Sequence, residues 1–156
     1  MISKSLQGGL LAALAIPAGL SVPDDLSLLL TAKASGVQIY MCDPASTAWK
    51  LKGPDAALAD ESGKMIGKHY GGPTWELADG SLVTGEVTAK DPGPSAAAIP
   101  WLLLKVASNG GKGRLAGARA IQRVATEGGV APGQTCQAGQ EIKVPYRATY
   151  LFYGKG

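Results

Sequence analysis

Turn-forming residues divide this chain into short segments, and that division limits the folds open to it. Of 156 residues, 22 are glycine and 10 are proline, and hydrophobic and polar side chains alternate in many of the intervening segments. Strands that alternate in this way and recur about every ten residues, with turn residues between them, are typical of an antiparallel sandwich or barrel. The sequence therefore predicts an all-β fold, a single-domain antiparallel β-sandwich or barrel-like fold with glycine-rich turns.

The length and continuity of the chain predict one domain. A chain of 156 residues can bury a single hydrophobic core without help from a metal ion. No internal repeat, low-complexity tract or linker separates a second domain in the sequence. We therefore expect residues 16–156 to form a single β-rich domain.

Individual hairpins are predicted from alternation and turn chemistry. Segments 26–34 and 36–42 both read as strands, which predicts a hairpin that turns at Ser35-Gly36. A later strand is predicted to stop at Gly53-Pro54. Asp79-Gly80 predicts another hairpin, because both residues tolerate positive φ.

A glycine-rich run, "GKGRLAG" at residues 111–117, has some features of a dinucleotide-binding turn. Such a turn uses glycines to bring a pyrophosphate close to the N-terminus of a helix. The spacing here is GxGxxxG instead of GxGxxG, and the chain lacks the alternating strands and helices of a parallel sheet. The run is therefore predicted to be a turn that leads into a strand at 118–129.

The charge distribution argues against nucleic acid as a partner. The net charge is +3, and the 15 basic residues are spread along the chain, so no basic patch is predicted.

The apolar run near the N-terminus is far shorter than the roughly 20 residues that a spanning helix needs. We therefore predict no integral membrane span.

The two cysteines predict a disulfide. Cys42 and Cys136 lie far apart, with neither a CxxC motif nor a histidine at metal-ligand spacing. Such a pair is more typical of one disulfide than of a zinc site. The alternative is two buried free thiols. A disulfide would persist only in an oxidising compartment.

The N-terminal segment, residues 1–15, points to such a compartment. Lys4 supplies a small positive region, residues 8–14 are apolar, and Ala13-Leu14-Ala15 fits the small-residue pattern of a cleavage site. We therefore expect an exported protein, periplasmic or extracellular, with a signal peptide cleaved after Ala15. The alternative is an apolar N-terminal segment that is retained and docks into its own core or onto a neighbouring subunit.

Five segments in this order carry a family resemblance: "GVQIYMC", "GKHYGGPTWELADGS", "IPWLLLKV", "IQRVATEGGVAP" and "VPYRATYLFYG". Together they make the chain, from about Ile16 to Tyr153, resemble a family of exported proteins of bacteria and fungi that is catalogued as a domain of unknown function. The resemblance implies export, a compact β-rich domain and a cysteine pair at these positions. It implies no reaction.

Most catalytic chemistries are disfavoured by residue counts. His69 is the only histidine, so any nucleophilic triad must use it as the base, and no serine lies in a GxSxG motif. A histidine-based zinc or copper site needs two or three histidines. The sequence therefore predicts neither a metal site nor a cofactor, and an enzyme is the less favoured class.

The stretch "GKHYGGPTWELADGS", residues 67–81, holds the best candidate ligand-binding residues. On a β-scaffold, His69, Tyr70 and Trp75 could join Arg123 in a cleft that binds a small ligand or a carbohydrate. Two alternatives compete with that interpretation: alternation places Trp75 on a buried face, and Arg123 suits a cross-strand ion pair.

The predicted function is therefore that of an exported, disulfide-stabilised binding module for a small ligand or carbohydrate. The alternative is a structural subunit of an extracytoplasmic or extracellular assembly. Such a subunit would use its apolar N-terminus or a strand edge for contacts, which leaves a homo-oligomer open.

Overall fold

Eight strands form one antiparallel sheet that closes into a barrel, with each strand paired to the next along the chain. The computed structural model describes residues 15–155. A short 3-10 turn, Ala18–Leu20, precedes the sheet. The predicted all-β antiparallel fold is confirmed. The strands are β1 (Ser27–Cys42), β2 (Trp49–Ala59), β3 (Met65–Tyr70), β4 (Thr74–Leu77), β5 (Leu82–Asp91), β6 (Trp101–Gly110), β7 (Ala118–Gly128) and β8 (Glu141–Gly154).

The first and last strands close the barrel. β1 and β8 pair antiparallel over nearly their full lengths, from Ser27 opposite Gly154 to Met41 opposite Glu141. Every strand within residues 15–155 therefore has a neighbour on both sides. A closed sheet of this kind has no edge strand at which another chain could add.

β1 corrects the sequence interpretation, because the turn predicted at Ser35-Gly36 does not form and one strand runs through it. Gly36 lies opposite Ala56 of β2. A Cβ atom at Gly36 would collide with the carbonyl oxygen of Asp55. This glycine therefore marks a close approach of two strands and not a reversal of the chain.

β2 likewise continues through Gly53-Pro54, where a strand end was predicted. The β1–β2 register shifts between Ile39 and Tyr40, which leaves Lys52 as an extra residue on β2. Such a bulge tolerates proline, because the ladder is already interrupted there.

Two other sequence predictions are confirmed. Asp79-Gly80 lies in the short reversal between β4 and β5. The strand predicted at 118–129 is β7, and the glycine-rich run 111–117 is the loop that leads into it.

The barrel interior is the main hydrophobic core, and it combines very large with very small side chains. Trp75, Tyr150 and Phe152 are the largest fully buried residues. At Gly85, a Cβ atom would lie 3.2 Å from Cζ3 of Trp75 and 3.3 Å from Cδ2 of Leu104, so glycine leaves room for the indole. The remaining aromatic volume is offset by small interior residues, namely Ala32, Ala34, Ala56 and Ala148.

The two ends of the barrel differ. At one end, called here the closed end, the loop 111–117 inserts the fully buried Leu115 into the core. Asp79 fixes this loop by accepting the backbone N–H of Arg114 at 2.8 Å. The opposite, open end carries the other connections between strands, which are residues 43–48, 71–73, 92–100 and 129–140.

The predicted disulfide is present at the open end. Cys42 is the last residue of β1, and Cys136 lies in the loop between β7 and β8. The two are bonded, with Cα atoms 5.7 Å apart and a sequence separation of 94 positions. The bond therefore ties the longest open-end loop to the barrel wall.

A second hydrophobic cluster covers the outer surface of β6, β7 and β8. Leu20 is 1% exposed and packs with Trp101, Val124 and Leu151. Gln122 donates a hydrogen bond from Nε2 to the carbonyl oxygen of Leu20 at 2.7 Å. The segment just before β1 thus packs on the outside of the barrel, which covers β8 on both faces.

The predicted signal peptide, residues 1–15, lies outside the described residues except for Ala15. Within residues 15–155, no helix has the length and apolar character that crossing a membrane requires.

Replacing Leu20 by alanine should lower the free energy of unfolding by about 2–5 kcal/mol, because it removes a buried side chain and leaves a cavity. The matched control is Leu28→Ala, since Leu28 is 50% exposed and a surface change of this kind stays within about 0.5 kcal/mol. Urea unfolding of both variants measures the difference. Equal effects would show that the segment before β1 does not pack as described.

Replacing both cysteines by serine should lower the free energy of unfolding by up to about 4.7 kcal/mol, because the unfolded chain would regain the freedom of a long loop. Wild-type protein unfolded with and without reductant provides the control. Reductant should destabilise the wild type and leave the double variant unchanged. A wild type that is indifferent to reductant would contradict the disulfide.

Candidate functional site

The open end of the barrel leads into a cavity of about 270 Å³. All eight strands contribute to its wall, so the cavity lies along the barrel axis. Two of its lining residues, Leu51 and Val87, are 54% and 45% exposed, which places the mouth of the cavity in contact with solvent. The polar or polar-tipped side chains in the wall are Gln38, Lys52, His69, Trp75, Arg123 and Tyr150.

His69 and Trp75 form a stacked pair in this wall. They lie directly opposite each other on β3 and β4, and their ring centroids are 4.4 Å apart with an interplanar angle of 15°. Tyr150 of β8 meets the His69 ring edge-on, with centroids 4.9 Å apart. The hairpin therefore presents two aromatic rings inside the barrel, braced by a third from the far wall.

The hydrogen bonding of His69 fixes its tautomer. Nδ1 lies 2.8 Å from the carbonyl oxygen of Thr74, which can only accept, so Nδ1 carries the proton. Burial lowers the pKa of His69 from its ordinary 6.5 to about 4, although the Thr74 carbonyl acts in the opposite direction. The neutral ring is left with an unprotonated Nε2, which is the nitrogen free to accept a hydrogen bond from a ligand.

Two buried polar atoms at the cavity have no hydrogen-bond partner among the described residues. They are the indole Nε1 of Trp75, a donor, and Oε1 of Gln38, an acceptor. The two residues are only 1% and 3% exposed. Leaving such groups unpaired costs free energy, so native proteins seldom do so without a reason.

Arg123 reaches the cavity from β7. Its Nε and Nη2 both donate to the carbonyl oxygen of Pro100, at 3.0 and 2.8 Å. The cross-strand ion pair considered from the sequence is wrong, because its neighbours in register are Leu102 and Tyr150, and no salt bridge within residues 15–155 involves Arg123. The guanidinium is anchored by a neutral carbonyl.

Tyr150 and Tyr146 continue the polar surface from the cavity into the barrel. Their hydroxyl oxygens lie 3.2 Å apart, and both side chains are buried. Burial raises the pKa of both phenols, so both stay protonated. They can serve as hydrogen-bond groups but not as anions.

Tyr70 is the one sequence-predicted candidate that the structure places elsewhere. It follows His69 on β3 and therefore points to the outer face of the barrel. There its hydroxyl donates to Oε1 of Glu76 at 2.6 Å, a bond that raises the pKa of Tyr70, and Lys68 lies over its ring. The other three candidates, His69, Trp75 and Arg123, line the same cavity.

Gln38 is the cavity residue that the sequence interpretation missed. Its strand alternates Val37, Ile39 and Met41 against Gln38 and Tyr40, and hydrophobicity alone favours the first set as the core face. The structure buries the other set, with Gln38 at 3% and Tyr40 at 8% exposure. The available signal was that Gln38 shares a face with Tyr40 and the disulfide-bonded cysteine.

The described residues offer no metal centre of the usual kind. Among residues 15–155, no group of three or more His, Cys, Asp or Glu side chains lies close enough together to hold an ion.

Comparison with known protein families gave one finding that covers most of the chain. The model of a family described as "Protein of unknown function (DUF3455)" matches residues 23–154, which span all eight strands and the cavity. Neither the curated proteins nor the solved structures gave a match. These comparisons therefore name no activity, and an argument about function rests on the geometry of the cavity.

The stability of the protein should fall between neutral pH and pH 5, because the unfolded chain binds a proton at His69 below pH 6.5 whereas the folded chain does so only near pH 4. The expected loss by pH 5 is about 2 kcal/mol. Chemical unfolding at several pH values measures it, with His69→Gln as the control that should flatten the dependence. A His69 that titrates near 6.5 by NMR would contradict its burial as a neutral ring.

Proposed function

We infer the function from geometry, because this chain belongs to the DUF3455 family, whose description names no activity. We propose that the protein is an exported binding module that holds one small molecule in the axial cavity of its barrel. Eight-stranded barrels have interiors just wide enough to fill with side chains or to hold one small ligand.

The observation that carries this proposal is the pair of unpartnered polar atoms in the cavity wall. Trp75 Nε1 and Gln38 Oε1 are buried, belong to residues that line the same cavity, and have no hydrogen-bond partner among residues 15–155. A third such atom, Oε1 of Gln122, lies away from this cavity, on a residue bonded to Leu20. A ligand with one acceptor and one donor would satisfy the two cavity atoms and recover the free energy that their burial costs.

The shape of the cavity favours a small molecule over a carbohydrate chain. Its volume of about 270 Å³ is close to the lower end of the range of roughly 300–1,000 Å³ usual for ligand pockets. Carbohydrate binding usually needs an open aromatic face, whereas Trp75 is 1% exposed and already stacked on His69. A compact ligand enclosed by the barrel fits these facts better.

The site is rigid before any ligand enters. His69 and Trp75 are on paired strands and hold each other by stacking, and the disulfide ties the loop 129–140 at the open end. Groups that are already fixed lose little conformational entropy on binding, so a small cavity can still give useful affinity.

The disulfide also supports export as part of the proposal. A bond between Cys42 and Cys136 persists in the periplasm or outside the cell and is rare in reducing compartments. The alternative role, a structural subunit that pairs through a strand edge, has less support, since the barrel formed by residues 27–154 closes on itself.

A fragment screen by NMR tests the proposal, with the indole N–H signal of Trp75 as the reporter. At least one small compound should shift that signal in a saturable manner, because the indole N–H has no acceptor within the described part of the chain, residues 15–155. Val87→Trp should abolish the effect by filling the mouth of the cavity. Val130→Trp is the matched control, since Val130 is equally exposed at 44% and does not line the cavity.

Two outcomes would contradict binding in the barrel. One is a screen in which no compound reaches the Trp75 indole. The other is a set of ligands that bind Val87→Trp as well as they bind the wild type, which would place their site elsewhere.

A further inference from the structure

The charges around the cavity define the class of ligand more narrowly, and this inference rests on the proposed function. We propose that the ligand is a small organic monoanion, an apolar body with one carboxylate, and that Arg123 binds the carboxylate. Three features of the wall lead to this assignment: its charge balance, the orientation of Arg123 and the nature of the remaining surface.

The cavity wall is cationic. Lys52 and Arg123 both line it, whereas no aspartate or glutamate does. Lys52 is paired at the surface with Glu141, at 3.2 Å, so its charge is already balanced. Arg123 is the cation whose charge no carboxylate within residues 15–155 balances by a salt bridge.

The groups that surround Arg123 are neutral. Its neighbours in register are Leu102 and Tyr150, and its charge acts on Tyr40, His69 and Tyr146 as well. The three phenols stay protonated, because burial raises their pKa, and His69 is uncharged above about pH 4. A partly buried guanidinium with only neutral neighbours favours an anion as its partner.

The orientation of the guanidinium leaves a suitable edge for that anion. Nε and Nη2 are both engaged with the single carbonyl oxygen of Pro100. This carbonyl holds one edge of the guanidinium plane, and Tyr150 shares a hydrogen bond with the same group. Among residues 15–155, these two partners leave the other N–H groups of Arg123 for a ligand. Arginine binds carboxylates through such N–H groups, with charge-assisted hydrogen bonds about twice as strong as neutral ones.

The rest of the wall is suited to an apolar body. Leu51, Pro54, Val87, Leu102 and Leu104 supply most of the surface between the polar groups. A fully hydrophilic anion would leave these side chains facing water or polar atoms, whereas an apolar body would cover them. The combination points to a carboxylate attached to a ring or a short hydrocarbon, and not to an inorganic anion.

Three probes of nearly the same size and shape test the charge preference: benzoate, benzamide and benzamidinium. They carry one negative charge, no charge and one positive charge. Calorimetric titration of the full chain should give benzoate about tenfold tighter binding than benzamide, and benzamidinium weaker binding than both. Sodium phosphate should not compete with benzoate at equal concentration, because it lacks the apolar body.

Arg123→Gln provides the test at residue level. The glutamine can still donate to the Pro100 carbonyl but has no charge, so benzoate affinity should fall to that of benzamide while benzamide affinity stays unchanged. Arg119→Gln is the matched control, because Arg119 lies on the same strand, is exposed and does not line the cavity. It should leave all three affinities unchanged. If Arg123→Gln does not fold, the order of the three probes on the wild type decides.

The outcomes separate this inference from the proposed function. Equal affinities for the three probes, all abolished by Val87→Trp, would overturn the carboxylate assignment and leave a ligand-binding barrel. Preference for benzamidinium would also overturn it. Binding of none of the probes at millimolar concentration would overturn it too, and the fragment screen would then decide whether the cavity binds anything.

Discussion

Pairing of β1 with β8 is the constraint on which the rest of the structure depends. It joins the two longest strands along nearly their whole length and converts an eight-stranded meander into a closed barrel. Closure leaves every strand with two neighbours and gives the sheet an inside and an outside. The main core, the cavity and Arg123 all lie on the inside of the closed sheet. The cluster around Leu20 lies on the outer surface of the same sheet.

The cavity is a consequence of how the interior is filled. Trp75, Tyr150 and Phe152 occupy the middle and closed end of the barrel, and Leu115 fills the closed end from its loop. Towards the open end, polar side chains such as Gln38, His69 and Arg123 share the wall with apolar ones, and the space between them is not filled. Buried polar atoms without partners oppose folding. The proposed ligand would pair with these atoms, which belong to two residues of one cavity wall.

Much of the fold was predictable because its signals are local. Alternation and turn residues located most strands, and Asp79-Gly80 located a tight reversal. Gly36 was wrongly interpreted as part of a turn. A glycine is required there because the strand passes close to Ala56, which is twenty residues away in sequence. The bulge at Lys52, next to Gly53-Pro54, was hidden for the same reason, since a register shift depends on the partner strand.

The candidate site was predictable only in part. His69 and Trp75 stood out because the only histidine lies close to a tryptophan, and period-two alternation puts both on one face of their hairpin. Whether that face points into a barrel depends on closure, which alternation does not encode. Gln38 was missed because its face of β1 is the more polar one. For Arg123 the sequence offered a cross-strand ion pair as the alternative to a ligand contact, yet its partner is a carbonyl of the loop 92–100.

Crystallographic fragment screening of the full chain is the most direct measurement of the central claim, that the barrel cavity is a small-molecule site. The account predicts that bound fragments collect at the open end, with an acceptor atom within hydrogen-bonding distance of Trp75 Nε1 and a polar contact to Gln38. Fragments found only on the outer surface, with the cavity closed by side chains and Trp75 Nε1 bonded to a protein acceptor, would contradict it.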